Sequence, residues 1–152
     1  MTVQIRHVVE ADEPQWSKLY SGYRAFYKLE NDPRAVSTTW GWVSSSEHGF
    51  IGLVATIDDA VVGLANLRKF ARPSTAAIGL YLDDLFTAPE SRGAGVATAL
   101  LREAANIAAH EGANVVRWIT AADNAAARSV YDKVATQTPW VTYDLKPAAY
   151  QD

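Results

Sequence analysis

A glycine-rich segment, APESRGAGVATALLREA (88–104), has residue types and a spacing that could bind an anion. Gly93 and Gly95 follow Arg92 and come directly before an apolar periodicity that predicts an amphipathic helix. The first N–H groups of a helix have no intrahelical partner and lie at the positive end of its dipole. The segment therefore predicts a phosphate-type ligand held at a helix start.

Two common phosphate-binding motifs do not match this segment. A P-loop requires G-x-x-x-x-G-K-[ST], and no lysine stands at that position. The dinucleotide fingerprint requires Gly or Ala where Thr98 stands, and it belongs after the first strand of a βαβ unit. The pattern [RQ]-x-x-G-x-[GA] does match, through Arg92, Gly95 and Ala97.

Two further pairs of polar residues have a position or spacing that could serve a functional site. Asp83 and Asp84 interrupt an apolar strand, AAIGLYLDDLFT (76–87), where a carboxylate could act as a general base. Strand alternation places them on opposite faces unless a bulge changes the parity. Asn124 and Tyr131 are seven residues apart, close to two helical turns, so they share one helical face. A structural role for any of the four stays open at this point.

The composition limits the classes of function. The 152 residues are 49% hydrophobic and 20% charged, which predicts one soluble globular domain over residues 1–152. The net charge of −3 gives no indication of a nucleic-acid surface. The absence of cysteine excludes disulfides, thiolate catalysis and cysteine-ligated metals, and the scattered histidines predict no metal site. No signal peptide or membrane-spanning run is indicated, so a cytoplasmic location is expected.

The hydrophobic periodicity predicts how these residues are positioned. A meander of strands precedes β-α-β units, an order typical of an α/β protein with a mixed sheet and helices on both faces. Asp12 with Pro14, and Asp32 with Pro33, mark the starts of the first two helices. The predicted strands are 2–9, 49–57, 61–70, 76–87, 114–120 and 138–145, and the later helices are 96–111 and 123–134.

Taken together, these segments resemble the GNAT superfamily of N-acetyltransferases. LYLDDLFTAPESRGAGVATALL resembles the strand, pyrophosphate loop and helix of that family, and WITAADNAAARSVYDKV resembles the strand and helix that follow. The likeness covers roughly residues 3–145, and YLDDLF is closest to the diamine and polyamine acetyltransferase branch. It implies a GNAT-like fold with six to seven mostly antiparallel strands and about four helices. It also implies acetyl-CoA as co-substrate and a homodimer.

The resemblance also implies roles for individual residues. Tyr131 would be the general acid that protonates the departing thiolate, and Asp83 would contact the amine and act as base. Leu85, Phe86 and Thr87 would pair with the pantetheine arm through their backbone. Acetyl-CoA would also be bound by Arg92, Gly93, Ala94, Gly95, Val96, Ala97, Thr98, Asn124 and Tyr131. The amine would be bound by Asp83, Asp84, Tyr20 and Tyr27.

The function predicted from these residues is transfer of an acetyl group from acetyl-CoA to a primary amine. The acceptor would be small and polyamine-like, and its amine would attack directly in a ternary complex. No nucleic-acid partner, membrane partner or metal is expected. Three alternatives stay open: a non-catalytic acyl-CoA-binding module, a structural domain, and acetylation of a peptide or protein amine. The presence of Tyr131, Asp83 and Asp84 favours an enzyme over the non-catalytic module.

Overall fold

The predicted elements form along most of the chain, for which a computed structural model describes residues 2–148. The strands join in one five-stranded sheet in the order β1-β2-β3-β4-β5, with β5 parallel to β4 and the other pairs antiparallel. Within these residues no helix is both long and apolar enough to cross a membrane. The strands are β1 (Gln4–His7), β2 (Phe50–Ile57), β3 (Ala60–Arg72), β4 (Ala77–Thr87) and β5 (Val116–Arg117), and the helices are α1 (Glu13–Phe26), α2 (Pro33–Ser44), α3 (Val96–Glu111) and α4 (Ala125–Val134).

The sheet has an apolar core on each face, which confirms the predicted mixed α/β fold. Alternation along the strands sends Leu53 and Leu80 towards α3, where they pack with Leu100. The residues on the other face, including Val54 and Leu64, pack against α1 and α2. The sheet is therefore held rigidly between two helical layers, and its strand ends are fixed positions for functional side chains.

The two N-terminal helices begin in different ways. Asp32 caps α2, because its Oδ1 accepts hydrogen bonds from the N–H groups of Arg34 at 3.1 Å and Ala35 at 3.2 Å. Asp12 stands at the N-cap position of α1, as predicted, but its side chain makes no capping hydrogen bond. Its carboxylate instead accepts hydrogen bonds from the two terminal guanidinium nitrogens of Arg6, at 2.7 and 2.8 Å, and from the backbone N–H of Val9. This charged pair joins β1 to the start of α1, which is a stronger use of a buried carboxylate than a cap.

The predicted count of six to seven strands is too high for residues 2–148. The segment predicted as a strand at 138–145 has no regular secondary structure, and β5 is shorter than the predicted 114–120. Alternating apolar residues indicate which side chains share a face, but a strand also needs a neighbour for its hydrogen bonds. Within the described residues β5 is the last strand of the sheet on that side, so the short β5 has a neighbour only in β4.

A β-bulge in β4 decides where the two aspartates point. Asn66 of β3 pairs with Asp84 while Leu67 pairs with Leu82, so Asp83 is an extra residue without a partner across the ladder. The bulge changes the parity, so simple alternation over the strand fails here. Leu82 packs in the core on the α3 side, whereas Asp84 is hydrogen-bonded on the α1 side.

The sheet opens between β4 and β5. The two parallel strands pair only at Leu80 with Val116 and at Tyr81 with Arg117. From Leu82 to Thr87, β4 has no strand beside it on this edge among the described residues. A gap flanked by two parallel strands at their carboxyl ends is a common place for a ligand.

Candidate active site

The glycine segment forms the start of α3, as predicted. Gly93 and Gly95 have positive φ angles of 86° and 80°, which L-residues with a side chain rarely adopt. The first backbone hydrogen bond of the helix runs from the N–H of Ala99 to the carbonyl of Gly95, at 3.0 Å. The N–H groups of residues 96–98 therefore precede the helical ladder, and the exposed loop leaves room for an anion against them.

Arg92 connects this loop to α1. Its guanidinium lies over the ring of Phe26, 5.3 Å from the centroid, and over Phe86, at 5.6 Å. These distances are within the range of cation–π attraction. Phe26 is half-exposed at the end of α1 while Phe86 is buried, so the stacked arginine fixes the loop beside the carboxyl end of β4.

A cleft of about 230 Å³ occupies the gap between β4 and β5. It brings together Asp83 and Tyr131, the two predicted catalytic residues, from β4 and α4. Tyr27 also lines the cleft, whereas Tyr20, Asp84 and Asn124 do not. The lining is Tyr23, Tyr27, Leu82, Asp83, Leu85, Trp118, Ile119, Thr120 and Tyr131.

Tyr131 is held in the cleft by aromatic packing. Its ring meets Trp118 edge-to-face, with centroids 5.3 Å apart. Burial, and to a lesser extent Tyr27, raises the pKa of the Tyr131 hydroxyl above the ordinary tyrosine value. The hydroxyl is therefore protonated throughout the neutral range and can donate a proton.

Asn124 begins α4 rather than lying in the cleft. Its Oδ1 accepts a hydrogen bond from the N–H of Ala127 at 3.3 Å, which is the geometry of a helix N-cap. This cap fixes the first turn of the helix that carries Tyr131 two turns later. The two residues predicted to share a helical face therefore have different positions: Asn124 caps α4, and Tyr131 lines the cleft.

Asp83 is a half-buried carboxylate with one strong partner. Nε of Arg68 donates to its Oδ2 at 2.9 Å, and the guanidinium of Arg68 also lies over the ring of Tyr81. Burial raises the pKa of Asp83, and the hydrogen bond and charge of Arg68 oppose that rise. The net result is a carboxylate more basic than an ordinary aspartate, in reach of the cleft.

Asp84 anchors the aromatic face of α1. Its Oδ2 accepts hydrogen bonds from the Tyr20 hydroxyl at 3.2 Å and from Nδ2 of Asn66 at 2.9 Å. Burial, then the Asp84 charge, raises the pKa values of Tyr20 and Tyr23. Tyr20 stacks on Tyr23, which in turn packs on Tyr27. Asp84 and Tyr20 thus position the tyrosines that line the cleft, and direct contact with the amine stays a prediction for them.

Sequence reasoning missed two polar residues of β3, Asn66 and Arg68. Both lie in the strand AVVGLANLRKF, and their alternation with apolar residues was a signal that they share a face. Their partners became visible only with the bulged register, which places Asp83 and Asp84 beside them. Trp118 also lines the cleft.

A larger cavity, of about 800 Å³, lies between β2 and α3 and contains none of the predicted site residues. Its walls include Phe50, Gly52, Asn106 and His110. Among residues 2–148, no three His, Asp or Glu side chains are grouped as a metal would require. The smaller cleft is therefore the cavity that contains predicted site residues.

A mixed sheet that opens between two parallel strands, with a glycine loop at the next helix start and a tyrosine across the gap, defines the class of acyl-CoA-dependent N-acyltransferases. The model of the Acetyltransferase (GNAT) family matches residues 12–135, and the chain belongs to this family. It is an acetyl-CoA-dependent N-acetyltransferase.

Relatives and solved structures agree with this assignment. The chain is 26% identical over 143 residues to the D-amino-acid N-acetyltransferase HPA3 of Saccharomyces cerevisiae, covering 93% of this chain and 89% of that protein. It resembles the ribosomal-protein-alanine N-acetyltransferase of Brucella melitensis biovar Abortus 2308, with a TM-score of 0.81, 19% identity and coverage of 97% and 100%. It also resembles AAC(6')-Iy in complex with a bisubstrate analogue, with a TM-score of 0.84, 16% identity and the same coverage. The last two likenesses concern the fold.

Proposed function

We propose that this chain, as one domain over residues 1–152, acetylates the primary amine of a small acceptor by direct attack in a ternary complex. The observation that carries the proposal is the cleft shared by Asp83 and Tyr131, which come from β4 and α4. One is a carboxylate with a raised pKa and the other a protonated phenol, which are the two groups that amine acylation needs.

The donor would be bound along the gap and the start of α3. The pyrophosphate of acetyl-CoA would accept hydrogen bonds from the N–H groups of residues 93–98, with Arg92 beside it. Its pantetheine arm would pair with Leu85, Phe86 and Thr87, where the edge of β4 has no strand beside it. Backbone N–H groups there would stabilise the oxyanion of the thioester carbonyl.

Acetyl transfer would use Asp83 first and Tyr131 afterwards. Asp83 would accept a proton from the ammonium group, directly or through water, because only the neutral amine is a nucleophile. The neutral amine would attack the thioester carbonyl, the C–S bond would break, and Tyr131 would protonate the departing thiolate. The second proton of the attacking nitrogen would then pass to the tyrosinate, directly or through water, which leaves the amide and the free CoA thiol as products. The proton transfers depend on Asp83 and Tyr131, which both line the cleft.

Gly95 offers a test of the donor site with a matched control in the same helix. We expect Gly95→Ala to raise the Kd for acetyl-CoA by about 10-fold, since a side chain at positive φ costs roughly 1–2 kcal/mol and distorts the loop. Gly112→Ala at the other end of α3 carries the same strain, because φ is 80° at Gly95 and 72° at Gly112 and both Cβ positions are open.

The two variants should lose similar thermal stability, and only Gly95→Ala should weaken acetyl-CoA binding in calorimetry. Equal Kd values for the two variants would show that the start of α3 does not bind the donor.

For the acceptor we propose an α-amino acid. The Arg68–Asp83 pair presents one cation and one carboxylate 2.9 Å apart beside the cleft. A zwitterion matches both, with its ammonium at Asp83 and its carboxylate at Arg68. The relative that acts on D-amino acids favours the same class. A polycationic acceptor, predicted from the resemblance, would be repelled by the positive charge of Arg68. Polyamines are therefore included in the test.

The test is release of free CoA thiol, measured across a panel of amines. The panel contains D- and L-amino acids, their amides, polyamines, aminoglycosides and a peptide. We expect amino acids to be preferred over their amides, and Arg68→Gln to raise KM for amino acids by about 10-fold or more while sparing the amides. Lys69→Gln is the control, because Lys69 pairs instead with the exposed Glu111.

The outcomes separate the competing functions. Thermal stabilisation by acetyl-CoA without CoA release from any amine would favour the non-catalytic acyl-CoA-binding module and overturn the proposed enzyme. Release with amides or polyamines but not with amino acids would retain the enzyme and overturn the amino-acid acceptor.

A further inference from the structure

A row of arginine and aromatic side chains crosses the sheet beside the cleft. Arg68 of β3 pairs with Tyr81 of β4, and Tyr81 pairs in turn with Arg117 of β5. Directly paired residues project from the same face of a sheet. That face is the α1 side, because the neighbouring Leu82 packs in the core beneath α3. All three side chains of the row are partly exposed, so a ligand can reach them.

Both guanidinium groups of the row lean over β4 from the strands on either side. Cζ of Arg68 lies 4.7 Å from the centroid of the Tyr81 ring, and Cζ of Arg117 lies 5.7 Å from that of Phe70. The Phe70 ring lies across β4, because a Cβ at Gly79 would stand only 2.6 Å from it. The two rings meet edge-to-face, with centroids 6.1 Å apart. These contacts hold the two cations above the same strand.

The two arginines flank the cleft and have unused hydrogen-bond donors. Arg68 pairs with Asp83 on one side of the cleft, and Trp118, the residue after Arg117, lines the other side. Arg68 donates to Asp83 through Nε, which leaves its two terminal nitrogens for a ligand. Arg117 has no hydrogen-bond or ion-pair partner within residues 2–148. A guanidinium that is held by stacking and lacks an acceptor is suited to bind a carboxylate.

The charges beside the cleft exceed those of a simple amino acid by one cation. An amino acid bound as proposed above has its ammonium group at Asp83 and its α-carboxylate at Arg68, which leaves Arg117 unmatched. Asp84, the other carboxylate on this face, is hydrogen-bonded on the α1 side and does not line the cleft. An acceptor with a second carboxylate would match all three charges.

We propose that the acceptor is a dicarboxylic α-amino acid, of the glutamate or aspartate type, and that Arg117 binds its side-chain carboxylate. The inference rests on the proposed acetylation of an amino acid in the same cleft. The side chain of the acceptor would lie over β4, between the two guanidinium groups. Arg117 would then determine specificity and take no part in the proton transfers.

Matched acceptors separate the two carboxylate sites. Glutamine lacks the side-chain carboxylate of glutamate, and the α-amide of glutamate lacks the α-carboxylate. With CoA release as the readout, we expect kcat/KM for glutamate to exceed that for glutamine by about 10-fold or more. Arg117→Gln should bring these two values within about threefold of each other and leave the ratio of glutamate to its α-amide unchanged. Arg68→Gln should do the reverse. Both enantiomers of each acceptor are tested.

Charge reversal at the same position provides an independent check. We expect Arg117→Glu to prefer free arginine to glutamate, because the new carboxylate attracts a cationic side chain. The guanidinium of free arginine stays protonated, so its only reactive amine is the α-amine. Arg72→Gln is the control, because Arg72 lies on the same face of β3 but is bonded to Asn114. It should retain the wild-type ratios, and thermal melts confirm that each variant is folded.

The outcomes distinguish failure of this proposal from failure of the proposed function. Wild-type enzyme that acetylates glutamate and glutamine equally well would retain the amino-acid acceptor and overturn the dicarboxylic one. An Arg117→Gln enzyme that loses the same factor with every acceptor would show that Arg117 only supports the wall of the cleft. An absence of CoA release with any amino acid would overturn both proposals.

Discussion

Replacing Tyr131 with phenylalanine is expected to lower kcat by at least about 10-fold and up to about 1,000-fold, the range over which a positioned acid contributes. The substitution keeps the ring that packs on Trp118 and removes only the hydroxyl. Without the hydroxyl the thiolate must leave unprotonated or take its proton from water. The Kd for acetyl-CoA should change little, because the ring and the loop at α3 are unaltered.

Steady-state kinetics with saturating acetyl-CoA, paired with calorimetric titration of the donor, separate these effects. The pKa of Tyr131 is raised by burial, so the alkaline fall of wild-type kcat should lie above the ordinary tyrosine range. That fall should be missing in Tyr131→Phe. Tyr81→Phe is a matched control, because Tyr81 lies under Arg68 outside the cleft lining and should retain kcat. A Tyr131→Phe enzyme with wild-type kcat would remove the acid from the mechanism.

Local pattern was sufficient to predict the fold because each element carries its own signals. The apolar stripe of α3 and the glycine at each end fixed that helix from Val96 to Glu111, and Asp32 with Pro33 fixed the start of α2. The mixed sheet followed from the order of the elements. The number of strands was harder to predict, because residues 138–145 and the segment around β5 have strand-like patterns, but a pattern cannot supply a hydrogen-bonding neighbour.

The site was predictable only as far as single segments allow. Spacing and resemblance indicated Asp83 and Tyr131, and the structure places both in one cleft. Arg68 could not be assigned, because its contact with Asp83 depends on a bulge that shifts the register by one residue. The position of Asp84 beside Asn66 depends on the same bulge, which no property of the strand alone determines.

Replacing Asp83 with asparagine is expected to lower kcat/KM for the amine by about 100-fold or more, because the amide cannot accept the ammonium proton. Burial raises the pKa of Asp83 despite Arg68, so wild-type kcat/KM should fall as the pH drops through a value above the ordinary aspartate range. Below that value the carboxyl is protonated and cannot act as base. The Asn variant should lack this acidic fall.

The raised pKa of Asp83 also predicts how the free energy of unfolding depends on pH: activity gains from the ionised carboxylate, whereas the fold favours the protonated carboxyl. A carboxyl whose pKa is higher in the folded than in the unfolded state loses stability as the pH rises through the folded value. Asp83→Asn should therefore be at least as stable as the wild type at pH 7, and the two should converge in acid.

Asp84→Asn is the contrasting variant: it weakens the acceptor of Tyr20 and Asn66, so it should melt earlier while keeping the acidic fall in kcat/KM. A lost acidic fall in Asp84→Asn, with Asp83→Asn unchanged, would assign the base to the other carboxylate. Thermal melts and pH profiles of the two variants thus distinguish the group that accepts the proton from the group that positions the tyrosines.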